Sequence, residues 1–201
     1  MVRMLPLALL VGCAPHLYTD GDTVEPWAAP ENGWPMAPPP SELVGAGFAE
    51  GQIAYDIRGD DQFGDEVSLW QFWGLYVLVD ISTMWCSPCQ DLGKGTEDVY
   101  QEFRDRGFIY LTVLHEDVDN GEVSTDELNQ WAGLPALGDS SHERITSPVI
   151  EDFKGESGSI SAVHSNQYPV ALLIGPDMRV VERIEPVTEP RIIEVLDDAL
   201  P

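Results

Sequence analysis

Basic residues are scarce in this chain: 10 Lys and Arg stand against 35 Asp and Glu, a formal net charge of −25 at pH 7. A surface that tracks phosphates needs clustered cations, and these are spread along the sequence, so nucleic-acid binding is excluded as a function class. The acids are scattered as well, from Asp20 through Asp56, Asp60, Asp61 and Glu116 to Asp198. That is the pattern of a solvated surface suited to a salty medium, not of an acidic interaction tail. Cysteine is the second scarcity, with three residues, Cys13, Cys86 and Cys89. A structural zinc site wants four ligands, and no second cysteine pair exists to supply them. Long apolar runs are the third. The opening run from Leu5 to Val11 falls far short of the roughly 20 residues that a membrane-spanning helix requires.

What that opening stretch does offer is an export signal. In "MVRMLPLALLVGC" one basic residue, Arg3, precedes the apolar run, and small residues lead to Cys13. Leu10-Val11-Gly12-Cys13 resembles the bacterial lipobox. The resemblance implies cleavage of residues 1–12 as a lipoprotein-type signal peptide and a lipid on Cys13. The chain is then expected to face the periplasm as a membrane-anchored lipoprotein. With Cys13 so used, the other two thiols form one pair with none left over, and outside the cytoplasm such a pair is free to persist as a disulfide. Residues 13–41, with "EPWAAPENGWPMAPPPS", read as a Pro-rich, semi-rigid tether. Trp27 and Trp34 are its two residues able to dock on a neighbouring body. The folded domain is expected over 42–201.

Within that domain, strand and helix patterns alternate. Val67 to Leu69 and Tyr76 to Ile81 read as strands, the second nearly all apolar and therefore buried on both faces. Leu92, Val99, Tyr100 and Phe103 recur at helical spacing, and "DRG" at 105–107 closes that helix. "FIYLTVL", 108–114, is another buried strand. Ser124 with Glu127 forms a capping box for a helix through Trp131, broken at "GLP". "PVIEDFKGESG" reads as a short strand and turn. "YPVALLIGPDMRVVERI", 168–184, reads as a hairpin about a Gly-Pro-Asp turn. Thr188 opens a last helix with Ile192, Leu196 and Leu200 on one face. A β-α-β start and a β-β-α finish imply an α/β fold, a central mixed sheet flanked by helices, with an insertion between the halves.

The chemistry concentrates in "VLVDISTMWCSPCQDL", 77–92. At a strand-to-helix junction Cys86 sits where unpaired backbone N–H groups and the helix dipole favour its thiolate, lowering a pKa ordinarily near 8.5. That makes it the natural nucleophile. Cys89, one turn on, is placed to attack a mixed disulfide at Cys86, and Pro88 stiffens the first turn. Asp80, six residues before Cys86 in the buried strand, should have a raised pKa and be able to take the proton of Cys89.

This stretch resembles the active-site strand of thioredoxin: hydrophobic strand, buried Asp, Trp-Cys-x-Pro-Cys, helix. The wider chain, through "GAGFAEGQIAYDI", "VSLWQFWG" and "YPVALLIGPDMRVV", is similar to exported thioredoxin-like thiol:disulfide oxidoreductases of the TlpA/ResA type over roughly residues 45 to 184. The resemblance implies a thioredoxin fold and a redox-active Cys86–Cys89 disulfide. It also implies a cis-proline loop at Tyr168-Pro169 that binds substrate backbone, with Trp85 beside the nucleophile. No cofactor is required. The partners it implies are proteins with thiols or disulfides and an electron donor in the membrane. Lys94, between Gly93 and Gly95, stands where such proteins usually carry a kinking Pro, so a helix bent or frayed by glycine is expected. Tyr168 replaces the usual Thr or Val.

Four rival readings attach to these and neighbouring residues. Cys86, Cys89 and His164 could hold Cu(I) as in Sco-type copper chaperones, but those space their cysteines by three residues and place the His differently. Thr83-x-x-Cys86 resembles a peroxiredoxin, a chemistry that wants Pro where Val79 stands and a partner Arg. "EDVDNGEVSTDE" approaches a calcium loop, with Gly121 one place early and Leu128 where Glu belongs, so a solvated acidic turn is expected and no metal is assigned. A non-catalytic thioredoxin-like binding module with a structural disulfide is the non-enzymatic alternative.

Overall fold

Two runs with almost no polar side chains, 76–82 and 108–114, form the centre of the sheet, where both faces are covered and alternation has nothing to select. In the computed structural model, which describes residues 27–152, 163 and 167–201, the strands are β1 (Arg58–Asp60), β2 (Glu66–Ser68), β3 (Tyr76–Ser82), β4 (Phe108–Leu114), β5 (Val149–Glu151), β6 (Val170–Ile174) and β7 (Val180–Ile184). The helices are α1 (Ser87–Phe103), α2 (Thr125–Ala132) and α3 (Glu189–Ala199). β1 and β2 make a small antiparallel pair. The main sheet has five strands in the order β5-β4-β3-β6-β7. β3, β4 and β5 run parallel, while β6 and β7 are antiparallel to their neighbours. The expected mixed sheet flanked by helices is therefore present, and the insertion contributes both α2 and the edge strand β5.

Leu78, Tyr110, Ala171 and Leu173 line one face and meet Leu92, Val99 and Phe103 of α1 and Ile192, Val195 and Leu196 of α3. Val77, Val79, Ile81, Ile109, Leu111 and Val113 line the other, under Ile57, Val67, Leu69, Phe72 and the helical residue Val163. Ser124 and Glu127 exchange the reciprocal bonds of a capping box: Ser124 N donates to Glu127 Oε2 at 2.8 Å and Glu127 N to Ser124 Oγ at 3.4 Å. Thr188 caps α3 by backbone geometry without a side-chain bond, and Leu200 is its buried C-cap.

Two local expectations need correction. The strand expected at Val67 to Leu69 ends at Ser68, because Gln71 Oε1 accepts from Ser68 N at 3.0 Å and turns Leu69–Gln71 into a 3-10 turn. α1 is neither interrupted nor frayed at its glycines. A Cβ on Gly93 would come within 2.7 Å of Leu134 Cδ1 and 3.3 Å of the Trp131 ring. The glycine is there to let the insertion pack on the helix.

The Pro-rich segment packs on the domain from Trp27 onward. Trp27 Nε1 donates to Ser68 Oγ at 3.0 Å, Trp34 Nε1 to Asp61 Oδ2 at 2.6 Å, and Ala37 bridges to Phe72. Cys13, His164 and the turn following β5 lie outside the described residues. Among the described residues no helix is long and apolar enough to cross a membrane.

Gly59 shows how closely the small strand pair is pressed to β5. A Cβ there would collide with the backbone carbonyl oxygen of Glu151, which cannot swing aside as a side-chain tip can. Gly59→Ala is expected to lower unfolding free energy by about 2–3 kcal/mol, read from the urea midpoint. A neutral or stabilising effect would refute this packing.

Candidate active site

The buried strand β3 runs straight into the cysteine loop, so the sheet fixes where α1 begins. Cys86 is the N-cap of α1, Pro88 lies in the first turn, and Cys89 N donates to Cys86 Sγ at 3.3 Å. The two sulfurs are bonded, S–S 2.10 Å with Cα–Cα 5.2 Å. Their surroundings differ: Cys86 keeps 5% of its surface in solvent and Cys89 none. Met84, both cysteines, Leu114, Leu128, Trp131 and Val149 form one apolar cluster, so the insertion is what seals Cys89.

Asp80 lies in mid-β3 on the face that α1 covers, in line with Leu78 and Ser82, and is fully buried. Burial pushes its carboxyl up to about 7, held from going higher by two hydroxyls. Ser82 Oγ donates to Oδ1 at 2.8 Å and Tyr110 OH donates to Oδ2 at 3.3 Å. Directly opposite on β4 stands Thr112, whose buried Oγ1 has no hydrogen-bond partner among the described residues. On the other side is Ala171. Burial, opposed by two hydroxyls, thus leaves the carboxyl in a range where it can exchange a proton at neutral pH.

Across from α1, the Tyr168–Pro169 peptide is cis, as expected from the resemblance. Together with Pro88, Val170, Ile184 and Glu185 these residues line a groove of about 340 Å³. Tyr168 also packs against the cluster that holds the cysteines. Trp85 is 46% exposed, and its ring meets Tyr168 edge-on at 5.8 Å between centroids. The structure therefore gathers Trp85, Cys86, Cys89, Tyr168 and Pro169 about the start of α1, while the bonds of Asp80, deeper in β3, go to Ser82 and Tyr110.

Three residues at the same end were not assigned by the sequence reading. Trp85 Nε1 donates to Glu116 Oε2 at 2.9 Å. The His115 ring lies 6.0 Å from that of Tyr168, and its Nδ1 is 2.8 Å from Asp152 Oδ2. The available signal was positional: "HED" follows the C-terminal end of β4, the parallel neighbour of the strand that leads to the cysteines, and loops at that edge share one surface. The Tyr168 hydroxyl is pushed up to about 12 by burial, then by Glu116 and Asp152, so it stays protonated. In the acidic turn, Asp117 Oδ1 accepts from Asp119 N at 2.7 Å and Gly121 N at 2.6 Å, closing its own loop. Among the described residues no group of three or more His, Cys, Asp or Glu is arranged to hold a metal.

Strand order, a Cys-x-x-Cys disulfide at the first turn of α1 and a cis proline across the groove make this a thioredoxin fold. The structures it resembles share it. The thioredoxin domain of a thiol-disulfide oxidoreductase from Bacteroides vulgatus is 21% identical, with TM-score 0.61, over 76% of this chain and 99% of that one. A thiol:disulfide interchange protein from Bacteroides sp. is 21% identical with TM-score 0.60, over 76% and 91%. The pneumococcal exposed lipoprotein thioredoxin from Streptococcus pneumoniae is 20% identical with TM-score 0.55, over 71% and 98%. The AhpC/TSA family matches over residues 51–183, and the chain belongs to that family. Among curated proteins no match was found.

Proposed function

We propose that the protein is a thiol:disulfide oxidoreductase that acts on protein cysteines in the cell envelope. The observation that carries this reading is the unequal burial of the two sulfurs at the start of α1, beside a groove that contains Pro169. In the reducing direction, the Cys86 thiolate attacks a substrate disulfide, forming a mixed disulfide and expelling one substrate thiolate. Cys89 then gives its proton to Asp80 and attacks Cys86 Sγ. The second substrate thiolate leaves, the Cys86–Cys89 disulfide closes, and two electrons have passed to the substrate. The oxidising direction is the reverse, and a membrane electron donor or acceptor resets the pair. The export signal and the lipobox-like Cys13 support the envelope location, as does the likeness to an exposed lipoprotein thioredoxin.

The Cys89 N–H that donates to Cys86 Sγ in the disulfide, together with the helix N-terminus, would stabilise a Cys86 thiolate once the bond is reduced. Redox titration in thiol buffers is expected to give a midpoint above about −300 mV, the level below which structural disulfides typically lie. A disulfide that resists reduction at that level would support the non-catalytic binding module instead.

A further inference from the structure

Glu116 occupies a different position from the other acids of this acidic chain. Its carboxylate accepts from the indole of Trp85 at 2.9 Å, and its backbone carbonyl accepts from Met84 N at 2.9 Å. It is therefore fixed against both residues that precede Cys86. Its side chain remains 23% exposed, and its Oε1 lies 4.0 Å from His115 Nε2. The other nitrogen of that ring is taken by Asp152. Among the described residues no Lys or Arg pairs with Glu116 or Asp152. Arg183, which lines the groove with Tyr168 and Pro169, is already held by Glu185 at 3.1 Å. Glu116 and Asp152 both act on the Tyr168 hydroxyl and, after burial, raise its pKa.

A substrate segment whose cysteine reaches Cys86 carries its neighbouring residues over Trp85 and Glu116. We propose that Glu116 is a specificity-determining residue, selecting substrate segments that carry a Lys or Arg next to the reacting cysteine. The inference rests on the thiol–disulfide exchange reading. The net charge of −25 attracts any cationic protein at long range, whereas Glu116 offers a fixed carboxylate at the point of reaction.

The test compares two disulfide-linked peptides, alike except for Lys or Glu on either side of the cysteine, as substrates of the full chain. At low salt the wild type is expected to favour the Lys peptide in kcat/KM by about fivefold, shrinking at high salt. Glu116→Gln keeps an oxygen for the Trp85 indole and removes only the charge, so the preference should fall to about twofold or less. Asp105→Asn removes the same single charge just beyond the far end of α1 and should leave the fivefold ratio intact. The proposal is overturned if both peptides react equally with the wild type, or if Glu116→Gln retains the full preference. Reduction of neither peptide would defeat the exchange reading itself, and this inference with it.

Discussion

Cys86→Ser is expected to lower insulin disulfide reduction by about a thousandfold or more, to the uncatalysed background, whereas Cys89→Ser should accumulate mixed disulfides. The asymmetry follows from geometry. Only Cys86 has any solvent contact, and only Cys86 sits at the helix end with a backbone N–H directed at its sulfur. A serine there keeps the hydrogen bond but supplies an alcohol that does not ionise near neutral pH, so no nucleophile remains. Cys89 is sealed by Trp131, Leu128 and Leu114, so no substrate reaches it first. Its thiol can act only on a disulfide already formed at Cys86. Removing it leaves the first attack intact and blocks the second, so substrates stay covalently attached. Non-reducing gels and mass spectrometry of the variant expressed in its source cells read both outcomes. Equal residual activity of the two variants would refute the assigned roles.

How far the sequence carried this reading depends on the distance over which each feature is encoded. β4 was legible to the residue because a run with one threonine among apolar and aromatic side chains, bounded by Gly107 and the polar His115-Glu116-Asp117, has one reading. The capping box at Ser124 and Glu127 was legible because its partners are three residues apart. Asp80 could be picked out because a carboxylate in a buried strand is a local contradiction. β1 escaped notice, since "RGD" has neither alternation nor bulk, and its place depends on Gly59 fitting against Glu151, far along the chain. Gly93 was misread as a weak point of α1 for the same reason: what it accommodates, Trp131 and Leu134, belongs to the insertion. Glu116, His115 and Asp152 meet Trp85 and Tyr168 only after β4, β5 and β6 have placed their loops on one edge. No periodicity in the chain announces such a meeting.

Asp80→Asn is expected to stabilise the protein while slowing it, and the pH dependence of the gain identifies the cause. The carboxyl has an ordinary pKa of 3.8 and is raised to about 7 by burial in the fold. Between those values the folded chain holds a proton that the unfolded chain has lost. Stability therefore falls as pH rises through that window, by on the order of 4 kcal/mol in all, and the cost is complete above it. Asparagine never carries the charge. Its one oxygen can accept from Ser82 in the place of Oδ1, and its amide, in the place of Oδ2, can donate to the Tyr110 hydroxyl, which accepts as well as donates. Urea melts of the oxidised proteins should show Asp80→Asn gaining about 2–3 kcal/mol more over wild type at pH 8.5 than at pH 5. Other carboxylates titrate in both proteins and cancel in the difference. Turnover should fall at neutral pH, because the resolving step loses the base that takes the Cys89 proton, and the pH–rate profile should lose its inflection near 7. A gain independent of pH would assign the effect to packing, and an unchanged profile would remove Asp80 from the proton transfer. If both expectations hold, the fold keeps a destabilising charge in its interior because the exchange reaction needs that base.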